Sequence, residues 1–299
     1  MKVPARFRVG VATHTGLVRT ANEDDYLLVA PPGARPVLLL AAVADGMGGV
    51  AGGTEASRSG LRGLAAGLLS AADVDLAAAV RSGFAGASER VAEQARLVPA
   101  LHEMGTTLTA LACARDTAVI GHVGDSRAYL LRLGRLERLT TDHAMQDQRN
   151  RLLRCIGGGQ PPQDPDLIEL ALLDGDRLLL CSDGIWGVVD DLKVRELLSQ
   201  RPAVAAAEGL VAAALAAGGP DNGTALVVDV VAAPADSLPV DVELSGEEVT
   251  RLNALHRGTR LGPSRWPWLV LALAFVLMLL AVLRSVFGID LLAHLFVSL

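Results

Sequence analysis

The chain has 299 residues, with 27 Lys+Arg against 33 Asp+Glu, a net charge of −6, and 51% hydrophobic but only 3% aromatic residues. That balance excludes a nucleic-acid binder, which needs a basic stripe and stacking rings. Three cysteines (Cys113, Cys155, Cys181) with no C-x-x-C spacing exclude a disulfide framework and a thiolate metal site, and fit buried thiols in a reducing compartment.

Phe7 to His14 and Tyr26 to Ala30 read as two strands joined by a polar turn, and Val37 to Ala44 as a third. The period then changes. Leu61, Leu64, Leu68 and Leu69 line one face of a helix with Thr54 near its start. A second helix over Asp75 to Leu97 carries Leu76, Val80, Phe84 and Val91 on one stripe. Strand patterns return at Thr106 to Cys113, Thr117 to Val123, Arg127 to Leu133 and Arg135 to Leu139, the last two forming a hairpin around Gly134. Leu167 to Leu172 and Arg177 to Ser182 are predicted to pair across Asp174-Gly175-Asp176. Leu192 to Leu198 and Val204 to Ala216 are helical, and Thr224 to Val231 is the last strand. Strands outnumber helices, and the helices come in pairs between strand groups. A doubly wound sheet would alternate strictly, so an α+β fold is predicted: an antiparallel sheet, or two stacked sheets, flanked by helix pairs.

Residues 1–233 form the predicted globular domain. A polar, turn-rich linker (234–265) follows, with a short helix around Glu247 to Leu255. Trp266-Pro267-Trp268 then leads into the unbroken apolar run Leu269 to Leu283, and between Trp266 and Phe287 only Arg284 is charged. A spanning helix needs about 20 mostly apolar residues, and paired tryptophans suit a membrane interface. The stretch 266–287 is therefore predicted to cross a membrane, with a short apolar tail over 288–299. Arg251, Arg257, Arg260 and Arg265 precede it, which places the N-terminal domain in the cytoplasm, while Arg284 snorkels to the far side. A buried or interfacial amphipathic helix is the competing reading, but the stretch is apolar on every face. No secretory leader is predicted.

The chemistry is concentrated in acids at the ends of apolar runs. Asp45 follows Leu38 to Ala44, Asp125 follows Val119 to Gly124, Asp183 follows Leu178 to Ser182, and Asp221 precedes the last run; each has glycine beside it or two residues away. A carboxylate at a buried strand end is costly to desolvate unless something positive meets it. One such acid pairs with an arginine; four suggest a shared cation cluster, and hard oxygen ligands select Mg²⁺ or Mn²⁺. A fifth acidic stretch, Arg19-Thr20-Ala21-Asn22-Glu23-Asp24-Asp25, joins them. Arg19 suits a bidentate grip on a phosphate dianion, and Glu23 and Asp24 suit direct ligation or the orientation of metal-bound waters. Blander readings compete: Asp45-Gly46 and Asp183-Gly184 as strand-end turns, Asp125-Ser126-Arg127 as a turn with Arg127 pairing an acid, Arg19 as a surface ion pair, and Asp221-Asn222 as an Asx turn. His14, His102, His122 and His143 each stand alone in the sequence and read as structural, His143 bracing a turn.

Seven segments in order resemble the protein phosphatase 2C family of metal-dependent Ser/Thr phosphatases. They are Arg19-x-x-Asn22-Glu23-Asp24, Val43-Ala44-Asp45-Gly46-Met47-Gly48-Gly49, Gly105-Thr106-Thr107, Val123 to Tyr129, Leu139-Thr140-x-Asp142-His143, Ser182-Asp183-Gly184 and Asp221-Asn222, and the likeness covers roughly residues 5 to 231. It implies a four-layer αββα sandwich. Asp45 would bridge two metals, Asp183 and Asp221 would complete the first metal's protein ligands, and the Gly46 carbonyl would bind the second, with Glu23 contributing directly or through water. Asp24 would hydrogen-bond metal waters, and Asn222 would stand beside it behind the ligands. Asp125 would hold a third, weaker metal with Asp183, and Arg19 would grip the substrate phosphate. The resemblance further implies two Mn²⁺ or Mg²⁺ ions, direct hydrolysis of phosphoserine and phosphothreonine in proteins by a metal-activated water, and a Ser/Thr kinase to oppose; taken with the apolar run and its preceding arginines, the expectation is a single-pass bacterial protein of the inner membrane with its catalytic domain in the cytoplasm. A phosphoprotein-binding pseudophosphatase of the same fold and a small-phosphate esterase are the alternatives; no G-x-x-x-x-G-K-[ST] loop is present.

Two features depart from the family pattern. Some members carry histidine after the first Asp-Gly; this chain has Met47, which cannot transfer a proton. The segment after Asp142-His143 is only Ala144 to Gln148 before Arg149-Asn150-Arg151-Leu152-Leu153-Arg154, so a flap found in many bacterial relatives is predicted to be largely deleted and the site more open.

Overall fold

The computed structural model describes residues 2–3, 6–31, 37–71, 75–145, 148–232 and 240–241. The first half runs β1 (Lys2–Val3), β2 (Phe7–His14), β3 (Asp24–Val29), β4 (Leu39–Met47), α1 (Gly49–Ser70), α2 (Leu76–Leu97), β5 (Gly105–Thr106), β6 (Leu108–Cys113), β7 (Thr117–Val123), β8 (Arg127–Arg132) and β9 (Arg135–Arg138). The second runs β10 (Ala144–Met145), β11 (Gln148–Leu152), β12 (Ile156–Gly157), β13 (Asp166–Ala171), β14 (Arg177–Cys181), α3 (Asp183–Trp186), α4 (Asp191–Gln200), α5 (Ala203–Ala216), β15 (Gly223–Val230) and β16 (Val240–Asp241).

Two antiparallel sheets form the centre. One has the order β2-β15-β14-β8-β9; the other runs β12-β5-β4-β6-β7-β13, with β3 on the free side of β4. Side-chain alternation along β3 and β4 explains why both read as solid apolar runs. Tyr26, Leu28, Leu39, Ala41 and Val43 pack between the sheets against Phe7, Val9, Leu178, Leu180 and Leu226. Their neighbours Leu27, Leu40, Ala42 and Ala44 face the other way, onto Leu61, Leu64, Leu68, Val80 and Phe84 of α1 and α2. A strand covered on both faces has no polar side to show. Leu179, Tyr129 and Val227 point out of the second sheet onto Val194, Leu197, Ala206 and Leu210 of α4 and α5. The layers are therefore helix pair, sheet, sheet, helix pair. The α1–α2 contact is close because a Cβ on Gly63 would stand 2.3 Å from the Gly86 carbonyl oxygen.

One pairing differs from the sequence reading. β13 and β14 do not pair with each other: β13 lies on β7, from Asp166↔His122 to Ala171↔Thr117, and β14 lies between β15 and β8. β2 pairs β15 while β3 pairs β4, so the polar turn predicted to join them crosses from one sheet to the other. Short connections suggest hairpins, but here long-range burial of both faces decides the partner. α1 also starts at Gly49 rather than near Thr54, and the four-residue helix α3 follows Ser182. The shortened segment folds into the small hairpin β10–β11. Two residues of the predicted linker, Val240 and Asp241, pair with Val3 and Lys2. The rest of the linker, the predicted span 266–287 and the tail 288–299 lie outside the described residues. Among the described residues no helix is long and apolar enough to cross a membrane.

Candidate metal centre

The acids gather where one end of each sheet meets the other. Asp24 and Asp45 are cross-strand partners on β3 and β4. The Asp45 backbone is fixed from β5–β6: its N–H donates to Thr107 Oγ1 at 3.0 Å, and its carbonyl accepts from Thr107 N and Thr106 Oγ1, each at 2.9 Å. Thr107 Oγ1 also meets Ser126 Oγ at 2.7 Å, tying Asp45 to the turn that carries Asp125. Asp183 opens α3 at the end of β14, and Asp221 sits just before β15. The Asp45 and Asp183 carboxyl groups lie within hydrogen-bonding reach of each other.

A clamp joins the sheets behind them. Asp24 Oδ2 accepts from Ser182 Oγ and from Thr224 Oγ1, each at 2.7 Å. Thr224 N donates to Ser182 Oγ at 3.0 Å, Thr224 Oγ1 meets Thr13 Oγ1 at 2.8 Å, and Asn22 Nδ2 donates to Thr13 Oγ1 at 2.9 Å. Asn222 fastens the preceding loop. Its Oδ1 accepts from Glu23 N at 2.8 Å, and its Nδ2 donates to the Thr15 and Ala21 carbonyls at 2.8 and 2.9 Å.

Burial and mutual repulsion push these carboxyl groups up together. Asp24 is pushed up to about 7, by burial first and then by Asp183 and Asp221, while the Ser182 and Thr224 hydroxyls hold it down. Asp45 is raised well above the ordinary carboxylate range by burial and by Asp24, Asp183, Asp125 and Asp221. Burial and then Asp221 raise Asp183; burial, Asp183 and Asp142 push Asp125 up to about 7. Glu23 is raised by burial and eased by Arg19. The guanidinium of Arg19, with 54% of its side chain exposed, donates to Asp221 Oδ2 at 2.7 Å. Asp221 is thus the carboxylate here that has an arginine partner, as the ion-pair reading of Arg19 anticipated.

Among the described residues no group of three or more His, Cys, Asp or Glu closes around a single point as a metal cage. The donor set nonetheless fits hard divalent cations. Asp183 Oδ1 is buried with no hydrogen-bond partner. A Cβ on Gly53 would stand 2.6 Å from Glu23 Oε2 and 2.8 Å from the Gly46 carbonyl oxygen, so glycine at that first turn of α1 lets two further oxygens converge. The cluster is all oxygen, acidic and short of positive charge, the donor chemistry of Mg²⁺ and Mn²⁺. Asp125 reaches Asp45 and Asp183 through its field.

Met47 turns away into the adjoining strands, its Cε 2.8 Å from where a Cβ on Gly105 would stand. Arg127 pairs Asp142 through Nε at 2.9 Å and Nη2 at 2.6 Å and stacks 3.4 Å over the Trp186 ring, whose Nε1 donates to the Asp125 carbonyl at 3.0 Å. His143 accepts from Gly124 N at 3.1 Å and meets Asp166 at 3.0 Å, with the His122 ring 4.8 Å from its own. Arg127 and His143 therefore brace the turn before and after Asp125. Sequence reasoning quoted Ser182 and Thr107 in its motifs without giving them a role, and missed Thr224 and Trp186. The available signal was a hydroxyl residue inside or beside an apolar strand, where burial demands a polar partner.

A family model described as protein phosphatase 2C matches residues 17–217. The serine/threonine protein phosphatase PstP of Mycobacterium tuberculosis is 36% identical over 255 residues, covering 77% of this chain and 46% of PstP. The chain thus spans about half the length of that relative. The serine/threonine phosphatase stp of Listeria monocytogenes is 31% identical over 241 residues, covering 73% of this chain and 93% of that protein. A crystal structure of the PstP catalytic domain in complex with two manganese ions matches with a TM-score of 0.66 at 35% identity, over 76% of this chain and 99% of that one.

Proposed function

The chain belongs to the protein phosphatase 2C family, and from that premise we propose that it hydrolyses phosphoserine and phosphothreonine in proteins, using Mn²⁺ or Mg²⁺ and opposing Ser/Thr kinases. The observation that carries this reading is the gathering of Asp24, Asp45, Asp125 and Asp183 in one region where the sheet ends meet, with pKa values raised by burial and by one another. Among the described residues Arg19, on Asp221, eases Asp183, and Arg127 eases Asp125; burial and mutual repulsion still prevail. The relative with two bound manganese ions supports it.

Asp45, Asp183 and Asp221 would hold one ion, Asp45 again with the Gly46 carbonyl and Glu23 a second, and Asp125 with Asp183 a third. Bound there, such ions supply an acidified water and positive charge for an in-line displacement at phosphorus. The chain's own groups do the rest. Arg19, half-exposed and anchored on Asp221, presents remaining N–H donors to the phosphate oxygens. Asp24, held by two hydroxyls, is oriented to accept a proton from a water near the phosphate. Asn222 keeps the Glu23 loop in register with Asp221. The cysteines are not placed as covalent nucleophiles: all three are buried, and burial pushes the Cys113 and Cys181 thiols far up. Hydrolysis is therefore direct.

We further propose that residues 266–287 anchor the enzyme in the inner membrane with its catalytic domain on the cytoplasmic side; the support is the apolar run and the arginines before it. Release of phosphate from a phosphothreonine peptide, measured with Mn²⁺ and with excess chelator, tests the enzymatic reading. Turnover that survives the chelator would refute it. Resistance of the full chain to extraction from membranes by alkaline carbonate tests the anchor.

A further inference from the structure

The loop that carries Arg19 also shows two apolar side chains to solvent. Leu17 is 65% and Val18 68% exposed. Single exposed aliphatics are ordinary, but an adjacent pair on a fixed loop is less so. This loop is fixed at several points. Thr15 and Ala21 are held through their carbonyls by Asn222, and Leu17 N donates to the Gly219 carbonyl at 2.7 Å. Gly16, at φ +82°, lies so close to the 219–221 loop that a Cβ there would stand 2.3 Å from the Asp221 carbonyl oxygen. The backbone has no slack with which to fold Leu17 and Val18 inward. They directly precede Arg19, whose guanidinium is proposed to grip the phosphate.

We propose that Leu17 and Val18 form an apolar lip that receives an apolar side chain adjoining the phosphoresidue of a protein substrate. The reading rests on the phosphatase assignment above and names part of its substrate preference. The placement suits it: Leu17 and Val18 precede Arg19 on the same fixed loop, and a residue flanking a phosphoresidue held by Arg19 is only about 3.3 Å of extended chain away from it. The pair removes a flanking Leu or Val from water, whereas a flanking Ser gains nothing there. An aryl phosphate without a peptide chain does not touch the lip.

The experiment compares kcat/KM of the full chain on phosphothreonine peptides carrying Leu or Ser immediately before or after the phosphoresidue, with an aryl phosphate as reference. We expect one of the two Leu positions to be preferred over Ser by roughly tenfold, the scale of a few methylenes in an apolar contact. Leu17→Gln and Val18→Thr, singly and together, should erase that preference and leave aryl phosphate turnover unchanged. Val18→Thr is nearly isosteric and guards against misfolding of the double variant. A flat Leu/Ser ratio in the wild type overturns the proposal, as does a preference that survives both substitutions or an equal loss on peptide and aryl phosphate. If the wild type hydrolyses none of these substrates, the phosphatase assignment itself fails, which is a distinguishable result.

Discussion

Thr224→Val is the sharpest perturbation of the clamp behind the acidic cluster. The substitution keeps the shape and removes one hydroxyl. In the native protein that hydroxyl donates to Asp24 Oδ2 at 2.7 Å and meets Thr13 Oγ1 at 2.8 Å, in a fully buried position. A hydrogen bond to a charged group contributes about 1.5–3 kcal/mol, and the Thr13 hydroxyl also loses its partner. We expect Thr224→Val to lose about 2 kcal/mol of unfolding free energy at pH 8, and Thr224→Ser, which keeps the donor, to lose much less. The pH matters because burial pushes Asp24 up to about 7, so its full charge is present only above that value. Losing a donor raises that carboxyl further, so the Thr224→Val loss should shrink at pH 5.5, where wild type and variant both hold the proton. Urea unfolding in chelator gives the free energies, and Mn²⁺ titration of phosphate release gives the second readout, which should show a higher metal requirement. The reasoning is refuted if Thr224→Val unfolds at the wild-type urea concentration and needs no more Mn²⁺ than wild type.

Other expectations follow from the same geometry. Burial, aided by His143, pushes the His122 imidazole down to about 4 from its ordinary 6.5, against the Thr141 carbonyl, Asp166 and Asp142. The unfolded chain protonates first, so His122 contributes stability in full above pH 6.5 and loses it as pH falls towards 4, up to about 3 kcal/mol. In His122→Gln, denaturant melts across that window should lack this slope. Arg19→Gln should raise KM for an aryl phosphate roughly tenfold with little change in urea midpoint, because an exposed ion pair contributes little to folding. A midpoint that falls with unchanged kinetics would make Arg19 structural. Gly121→Ala should cost about 2 kcal/mol in thermal or urea melts, since the new Cβ would stand 2.5 Å from Phe84 and 2.6 Å from Val80.

What could be read from the chain depends on how locally each feature is encoded. The apolar runs of β4, β7 and β14 and the stripe Val80-Phe84-Val91 on α2 are local patterns, and they correspond to elements within a few residues of the expected bounds. Strand partnership is not local. The Asp174-Gly175-Asp176 turn suggested a hairpin, yet Asp176 turns inward to Arg132 at 2.7 Å on β8, and β13 crosses to the other sheet. The acids stood out because a carboxylate beside a buried strand end is an anomaly in one dimension. The part played by the hydroxyls that position them was not legible, because Ser182 and Thr224 show no partner in one dimension until the second sheet brings Asp24 between them. Arg127 could be read as an ion pair, but only the fold shows it stacked on Trp186 beside Asp125.

Calorimetric titration of Mn²⁺ into the chain and into its Asp183→Asn variant addresses the acidic cluster most directly. Asp183 has a buried carboxyl oxygen without a partner and is repelled by Asp221. We expect the wild type to take up at least two ions and the variant to lose at least one together with phosphate release, while staying folded and no less stable in chelator. Equal Mn²⁺ uptake by both proteins, or none by either, would contradict the assignment of these carboxylates to a metal centre.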